Sequence, residues 1–341
     1  MKNITVQTIQ DAYKHKKASP VEVIQYCLDQ IEKHGSLNAF ITVTAEEALA
    51  QARVAEQKMM RNVPLGKLEG IPIGLKDNIY TKNVLSTSGS KVDENFVPTE
   101  NAALVNSLYH QGAISLGKQN MHEFAFGITS NNPFYGPVKN PWNNKITAAG
   151  SSGGSAAAVA LGMGVGAIGT DTGGSIRIPS AACGVVGLKP TKGLLNGTGV
   201  TNISWTLDDV GPITRNVSDA AAMMDAMTLT ENYTASLRED IRGMRIGVAK
   251  NCFHDDVHPA IMEVFEGSLQ KLADLGAILI EVDVPCNRAT LDNVFTIAMA
   301  EAANLHREKM QEKMDAYGED VSMTLQAGKD IPSLVYMEAL H

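Results

Sequence analysis

Long hydrophobic runs, basic clusters and closely spaced cysteines are all missing from this chain of 341 residues. The longest apolar run, 156–169, is too short and too rich in glycine to span a bilayer, and the N-terminal segment lacks the apolar stretch of a signal peptide. The net charge of −8, without a block of Lys or Arg, argues against a nucleic-acid surface. These absences predict a cytoplasmic protein that engages neither a membrane nor a nucleic acid.

Patterns for metals and cofactors are also weak. The four widely spaced cysteines form no CxxC pair, so we expect reduced thiols: Cys27, Cys183, Cys252 and Cys286. His254 and His258 have the spacing of a metal-binding pair, but they precede Pro259 and a helix, where such residues usually serve as exposed caps. Segment 164–169 fits G-x-G-x-x-G without the preceding strand that a dinucleotide site needs, and there is no P-loop. We predict no metal and no cofactor.

Two helices are predicted before residue 62. Ser19-Pro20-Val21-Glu22 combines a capping box with proline at the first helical position, and the helix that it begins should end near Gly35. Thr44-Ala45-Glu46-Glu47 predicts a second capping box, for a helix that ends near Arg61. Next comes the short apolar segment 70–75, a buried strand that leads into Lys76.

Strand and helix patterns alternate from there on. They include a helix that begins at Ser218-Asp219, a βαβ unit over 245–282 and a helical region over about 291–317. This alternation is typical of an α/β fold with a largely buried mixed sheet. Because no repeat or low-complexity linker interrupts it, we predict one domain over 1–341. Its parts are N-terminal helices (about 1–62), a core (about 63–230) and a βαβ and helical extension (about 240–341).

Glycine is concentrated in one region, with twelve of the 30 glycines between Gly150 and Gly193. Two serine-bearing turns, 150–154 and 172–175, lie at either end of a helix of small residues, and such a dense run is more typical of a functional loop than of core. The first turn matches G-x-S-x-G with Ser152 in the nucleophile position. A nucleophile elbow needs a buried strand directly before it, however, and segment 140–147 is polar. An elbow at Ser152 is therefore disfavoured.

Lys76 is the other candidate for chemistry. A lysine at the end of an apolar strand is desolvated, which lowers the pKa of its amine. The alternative is a structural lysine paired with Asp77 or Asp171, and the position of Lys76 alone favours that pairing.

Longer motifs change this balance. Segments 150–156, 169–177, 179–180 and 187–191, together with Gly74-Leu75-Lys76-Asp77-Asn78 and Asn140-Pro141-Trp142, resemble the signature of the amidase-signature family. The similarity runs from Ser19 to about Val284. It implies an α/β domain with a mixed central sheet covered by helices on both faces.

The resemblance also implies a Ser–Ser–Lys catalytic set. Ser175 corresponds to the nucleophile that forms an acyl-enzyme, Ser151 to a bridging serine held by a cis peptide bond, and Lys76 to a neutral base. Thr172, Gly173 and Gly174 would aim backbone N–H groups at an oxyanion, and a carbonyl at the position of Ala125 would face the substrate. Ser152, Asp171 and Arg177 would brace the loop.

Two activities occur in this family: free-standing amide hydrolysis, and ammonia supply by the glutamine-cleaving component of glutamyl-tRNA(Gln) amidotransferase, which passes the ammonia to a partner. Segments 121–127 and 132–136 look more like the hydrolases. We therefore predict hydrolysis of a small-molecule amide, with the transamidation role as the alternative and a homodimer as the assembly considered. Family members usually continue well beyond the length of this chain, so a C-terminally truncated or inactive fragment is a second alternative.

Overall fold

The computed structural model describes residues 4–229, 231–251, 257–285 and 287–341. The strands in these ranges are β1 (Phe40–Val43), β2 (Pro72–Lys76), β3 (Ile114–Gln119), β4 (Asn131–Asn132), β5 (Gly136–Pro137), β6 (Gly166–Asp171), β7 (Val186–Gly187), β8 (Asp209–Thr214), β9 (Arg245–Ala249) and β10 (Ile278–Val282). The helices are α1 (Val6–Lys14), α2 (Pro20–Lys33), α3 (Ala45–Met60), α4 (Ala103–His110), α5 (Gly153–Ala160), α6 (Arg177–Cys183), α7 (Val217–Thr228), α8 (Pro259–Asp274), α9 (Arg288–Leu305), α10 (Arg307–Lys313), α11 (Glu319–Lys329) and α12 (Ser333–Leu340). Short 3₁₀ turns lie at Gly35–Leu37, Glu123–Ala125, Thr234–Ser236 and Met314–Ala316.

The central sheet has the strand order β1-β3-β2-β6-β8-β7. Strand β2 is parallel to both β3 and β6, whereas β1 and β8 run antiparallel to their neighbours β3 and β6. The predicted mixed sheet is therefore confirmed. Its parallel centre is buried along the whole length of β2, β3 and β6, as a sheet covered on both faces requires.

Helices pack on both faces of this sheet. One hydrophobic cluster joins Ile73, Leu75 and Ile168 to α1, α2, α3, α4 and α7. A second cluster, on the opposite face, joins Ala167 and Ile213 to the alanines of α5. Ala167 and Ile168 belong to different clusters because successive strand side chains point to opposite faces. The α/β architecture predicted from the sequence is confirmed.

Strand β6 is the element that the sequence interpretation missed. We expected a helix of small residues between the two glycine turns, but the structure has the short helix α5 followed by β6, the strand beside β2. Gly, Ala and Thr in β6 give no hydrophobic alternation, and the side chain of Met223 lies where a Cβ on Gly166 would stand. The G-x-G-x-x-G match thus runs into a strand instead of following one, which agrees with a chance match.

Helix starts were predicted with mixed success. The capping box of α2 is present: the Ser19 hydroxyl accepts from Glu22 N, and the Glu22 carboxylate accepts from Ser19 N. The predicted capping box at Thr44 is wrong, because the Thr44 hydroxyl donates to the Ser115 carbonyl instead. Helix α7 begins two residues before the expected cap, with Asn216 accepting from Asp219 N.

The predicted βαβ unit is confirmed, but it forms a sheet of its own. Strands β9 and β10 pair in parallel, and α8 connects them. His258 accepts from Ala260 N and so caps α8, as expected. His254 and Cys252 lie outside the described residues, as does Cys286. Among the described residues, no three His, Cys, Asp or Glu side chains are grouped to hold a metal ion.

A third cluster connects the C-terminal helices to the loop that follows β3. Phe124 and Ala125 in that loop pack with Ala298 of α9 and Leu325 of α11. The C-terminal helices are thus packed against the same edge of the sheet where the candidate site lies. None of the helices in the described ranges is long and apolar enough to span a bilayer.

Candidate active site

The site begins at the carboxyl ends of two neighbouring parallel strands. Leu75 of β2 pairs with Ile168 of β6, so the residues that follow, Lys76 and Thr170, emerge at the same edge of the sheet. In α/β sheets this edge is where ligands usually bind. The fold therefore brings Lys76 to the glycine-rich region that follows it by about 75–100 residues in the chain.

Lys76 is fully buried and contacts two hydroxyl groups. Its Nζ lies 2.7 Å from Ser151 Oγ and 2.7 Å from Thr170 Oγ1. Asp77 instead accepts from Thr87, and Asp171 forms a salt bridge with Arg177. Within the described part of the chain Lys76 has no salt bridge, so the pairing that its position alone favoured does not occur.

Burial changes the chemistry of this amine. Desolvation lowers the pKa of Lys76 from 10.5 to about 7, although the negative charges of Asp208 and Asp171 oppose the shift. A buried amine without an adjacent carboxylate favours its neutral form. Near neutral pH a large share of Lys76 is therefore unprotonated and able to accept a proton.

Ser151 is held from both sides of its peptide unit. The Gly150–Ser151 peptide bond is cis, as the resemblance implied. The Ser151 carbonyl accepts hydrogen bonds from His122 N at 3.1 Å and from the Ser130 hydroxyl at 3.3 Å. Because its carbonyl and its hydroxyl are both bonded to buried groups, Ser151 has little freedom to rotate.

A close backbone approach explains one glycine of the motif. Gly154 N donates to the Asn120 carbonyl at 3.0 Å, and a Cβ on Gly154 would lie 2.3 Å from that oxygen and 2.5 Å from the Ala39 carbonyl. No larger residue fits without moving backbone. The start of α5 is thereby fixed against the end of β3.

Ser175 follows the second glycine turn, which is organised by Asp171. The carboxylate of Asp171 accepts from Gly174 N at 2.8 Å and from Ile176 N at 3.0 Å. Arg177 adds two side-chain hydrogen bonds to the same carboxylate, through Nε at 3.0 Å and Nη2 at 2.8 Å. Burial alone would raise the pKa of Asp171, but Arg177 and the two backbone donors together lower it. A charged Asp171 thus closes the turn.

The turn leaves some of its N–H groups open. Gly174 has φ of +130°, which only glycine adopts readily, and its N–H already donates to Asp171. In the described structure, the N–H groups of Thr172, Gly173 and Ser175 have no recorded protein acceptor. The expected oxyanion donors therefore narrow to these three, with Gly174 shaping the turn.

Ser152 lies beneath Ser175 and not at the surface. Its N–H donates to the Ser175 carbonyl at 3.2 Å, and its hydroxyl donates to the Thr170 carbonyl at 3.2 Å. The residue is completely buried. The geometry of an exposed nucleophile elbow is absent at Ser152, in agreement with the sequence interpretation.

Ser175 itself has a different environment. Its residue is 6% exposed, and among the described residues its hydroxyl has no recorded hydrogen-bond partner. The structure thus brings Lys76, Ser151 and Ser175 to one edge, with the Lys76–Ser151 bond formed and the Ser175 hydroxyl free to meet a ligand.

The loop containing Ala125 has an unusual backbone. Phe124 and Ala125 have φ of +47° and +61°, a conformation that costs energy in residues other than glycine. Glu123 anchors it, since its buried carboxylate accepts from the Ser90 hydroxyl at 2.5 Å and from Gly318 N at 2.8 Å. Burial raises the pKa of Glu123 to about 7.

Three contacting residues were missed by the sequence interpretation. Thr170 precedes Asp171 in the quoted motif, and His122 lies in segment 121–127, so both were in view without an assigned role. Asp208 was not considered, although its carboxylate accepts from the Thr172 hydroxyl at 2.6 Å. The two residues are 36 positions apart, and no sequence pattern connects them.

An α/β sheet whose carboxyl edge joins a desolvated lysine to a cis-linked serine defines the class of protein that the motifs resemble. The family model described as Amidase matches residues 22–337, so the chain belongs to the amidase family, whose signature the motifs carry. Its typical catalytic set is the Ser–Ser–Lys triad. Each of these similarities describes what the chain is like and leaves its own reaction to be tested.

Individual proteins give the same family. The A-type component of glutamyl-tRNA(Gln) amidotransferase from Geobacter sp. (strain M21) is 40% identical over 319 residues, covering 89% of this chain and 66% of that protein. A crystal structure of an amidase superposes with a TM-score of 0.93 at 30% identity, covering 99% of this chain and 76% of the other. The crystal structure of the A-type amidotransferase component from Thermotoga maritima gives a TM-score of 0.77 at 31% identity, covering 99% and 72%. The chain spans slightly less than two thirds of the curated relative from Geobacter.

Proposed function

We propose that this protein hydrolyses a carboxylic amide to an acid and ammonia or an amine, with Ser175 as nucleophile and Ser151 and Lys76 as proton relay. The observation that carries the proposal is the 2.7 Å contact between Lys76 Nζ and Ser151 Oγ at a fully buried lysine. A serine hydroxyl is a weak nucleophile until a positioned base takes its proton. Lys76 is suited to that role because burial holds the pKa of its amine at about 7.

In the first half-reaction the Ser175 oxygen attacks the amide carbon and forms a C–O bond. Its proton passes to Ser151, whose own proton passes to the neutral amine of Lys76. The tetrahedral oxyanion accepts hydrogen bonds from the open N–H groups of turn 172–175, which are worth about 2.7–4 kcal/mol each in comparable sites. The C–N bond then breaks, and the leaving nitrogen receives the proton back from Lys76 through Ser151.

The second half-reaction repeats the route with water. A water molecule attacks the acyl carbon, gives its proton to Lys76 through Ser151, and the bond between Ser175 and the acyl group breaks. The Ser175 oxygen recovers the proton and the acid leaves. Lys76 thus acts as a base and then as an acid in each half, which a group with a pKa near the working pH does well.

Covalent labelling tests this proposal without knowledge of the substrate. A fluorophosphonate should modify the protein at Ser175, and Ser175→Ala should abolish the modification, as located by peptide mass spectrometry. Ser180→Ala is the matched control, because Ser180 is buried on α6 and its hydroxyl has no recorded partner. A folded wild-type protein that stays unlabelled would overturn the proposal and favour the inactive fragment.

A second candidate rests on sequence identity. The amidotransferase component from Geobacter is 40% identical, above the 30% of the amidase crystal structure, whereas the amidase superposes with a TM-score of 0.93. In that alternative the same site would release ammonia from glutamine for a partner protein. Segment 121–127 keeps the free hydrolase as our first choice.

A substrate panel separates the two. Free primary amides of aliphatic and aryl acids, with glutamine included, are incubated with the chain alone and with the other components of a glutamyl-tRNA(Gln) amidotransferase. Ammonia release from simple amides by the chain alone supports the hydrolase. Release from glutamine that requires the added components would replace it with the transamidation role.

A further inference from the structure

One carboxylate outside the proposed relay lies against the nucleophile turn. Asp208 precedes β8, and its Oδ1 accepts from the Thr172 hydroxyl at 2.6 Å. Its Oδ2 accepts from Ile203 N at 2.7 Å and from Ser204 N at 3.1 Å. A single side chain therefore connects turn 172–175 to loop 203–208. Hydrogen bonds to a charged acceptor are shorter and stronger than neutral ones, so this connection is firm.

Loop 203–208 is in turn fixed by a second buried acid. Glu301 of α9 accepts from the Ser204 hydroxyl at 2.5 Å and from Thr206 N at 3.0 Å. Its other oxygen accepts from the Thr206 hydroxyl at 2.5 Å and from Tyr336 of α12 at 2.8 Å. Glu301 is fully buried and, among the described residues, forms no salt bridge. Four donors thus hold one carboxylate, which in turn holds the loop.

The same chain of contacts reaches Lys76 electrostatically. Groups that face Lys76 come from three elements: Asp171 at the end of β6, Asp208 before β8 and His122 after β3. Burial lowers the pKa of Lys76, and the Asp208 charge is the largest influence in the opposite direction. Burial also raises the pKa of Asp208, but its hydrogen-bond donors and the Lys192 charge oppose that rise.

We propose that Asp208, anchored through Ser204 by Glu301, is a positioning residue that fixes turn 172–175 relative to Lys76. This inference rests on the proposed function, since the turn carries Ser175. Asp208 touches no reacting atom in the proposed reaction. It acts through the Thr172 hydroxyl on one side and through its charge on the other.

Two substitutions separate these actions. Thr172→Val removes the hydroxyl that Asp208 binds and should lower the rate of fluorophosphonate labelling about 100-fold, the loss typical of a small misplacement of reacting groups. Thr172→Ser keeps a hydroxyl and should restore most of the rate. Asp208→Asn removes the charge as well, so it should lower the rate and also move the midpoint of the pH–rate profile to lower pH. A role in folding alone would not move that midpoint.

The neighbouring acid provides a matched control. Asp209 is also buried, and its carboxylate accepts from Lys189 at 2.6 Å and from Gly193 N instead of from the turn. Asp209→Asn should leave the pH midpoint and the labelling rate of folded protein near the wild-type values. Thermal melts of each variant identify the folded fraction to which labelling rates are normalised.

A measurement without activity keeps the inference separate from the proposed function. The ionisation of Lys76 is followed by NMR of lysine ¹³Cε in the wild type and in Asp208→Asn, and we expect the midpoint to fall in the variant. An unchanged midpoint, or full labelling of folded Thr172→Val, would overturn the inference. A wild type that is unlabelled contradicts the proposed function alone, because the NMR comparison still decides the effect of Asp208 on Lys76.

Discussion

Two lysines, on neighbouring parallel strands, are equally buried and have different surroundings. Lys76 ends β2 and contacts the hydroxyls of Ser151 and Thr170. Lys118 in β3 is also fully buried, but its amine donates to the Ile79 carbonyl and to the Ser86 hydroxyl. It pairs in register with Leu75, so it points to the face of the sheet opposite to Lys76.

The difference shows that burial alone does not make a lysine a base. Burial lowers the pKa of Lys118 to about 8, close to the value for Lys76, with the Asp77 charge opposing the shift. A carbonyl oxygen, however, has no proton to give, whereas a serine hydroxyl has one. Lys118 therefore satisfies structural acceptors, and Lys76 is placed to exchange a proton with Ser151.

Replacing Lys76 should give the largest effect. Lys76→Met removes the proposed base and should lower the labelling rate of Ser175 by about 10²–10⁴-fold, the range for general-base catalysis. The melting temperature should stay the same or rise, because a buried polar group is replaced by an apolar one. Labelling at more than a tenth of the wild-type rate would contradict the role of Lys76.

Replacing Lys118 should give the opposite pattern. Lys118→Met leaves the buried Asp77 charge uncompensated and should lower the free energy of unfolding by about 3 kcal/mol. Urea unfolding measures this loss. The folded fraction should be labelled at nearly the wild-type rate, and a selective loss of labelling without loss of stability would show that the two lysines are not separate in role.

A pH profile distinguishes the two amines further. The proposed base works when neutral, so the labelling rate should fall about tenfold per pH unit below the Lys76 pKa of about 7 and level off above it. Lys118→Met should keep this profile. A flat rate between pH 5 and 8 would exclude a titrating base with this pKa.

The smallest effects come from matched hydroxyl deletions. Thr170→Val removes one partner of Lys76 and should lower the labelling rate about fivefold, as expected for a hydrogen bond of about 1 kcal/mol. Ser86→Ala removes the corresponding partner of Lys118 and should lower stability by about 1 kcal/mol, as chemical unfolding will show. If Ser86→Ala slows labelling as much as Thr170→Val, the proposed distinction between the lysines is wrong.

The sequence led to Lys76, Ser151 and Ser175 because each lies in a long, specific motif, and the α2 start was legible because its cap is local. Strand β6 was missed because glycine and alanine carry no alternating pattern. The caps at Thr44 and Asn216 depended on which of two nearby polar residues the tertiary structure uses. The Asp208 contact spans 36 positions, and the Glu301–Ser204 contact spans 97, so only folding brings these residues together.

Trp205, between the two residues that Glu301 holds, provides an optical reporter. The chain has two tryptophans, Trp142 and Trp205, and Trp205 is 48% exposed in loop 203–208. It lines both a cavity of about 670 Å³ beside α9 and one of about 200 Å³ that reaches Thr170. With Trp142 replaced by Phe, the emission of Trp205 would follow the loop behind the nucleophile turn directly, in real time and without any added label.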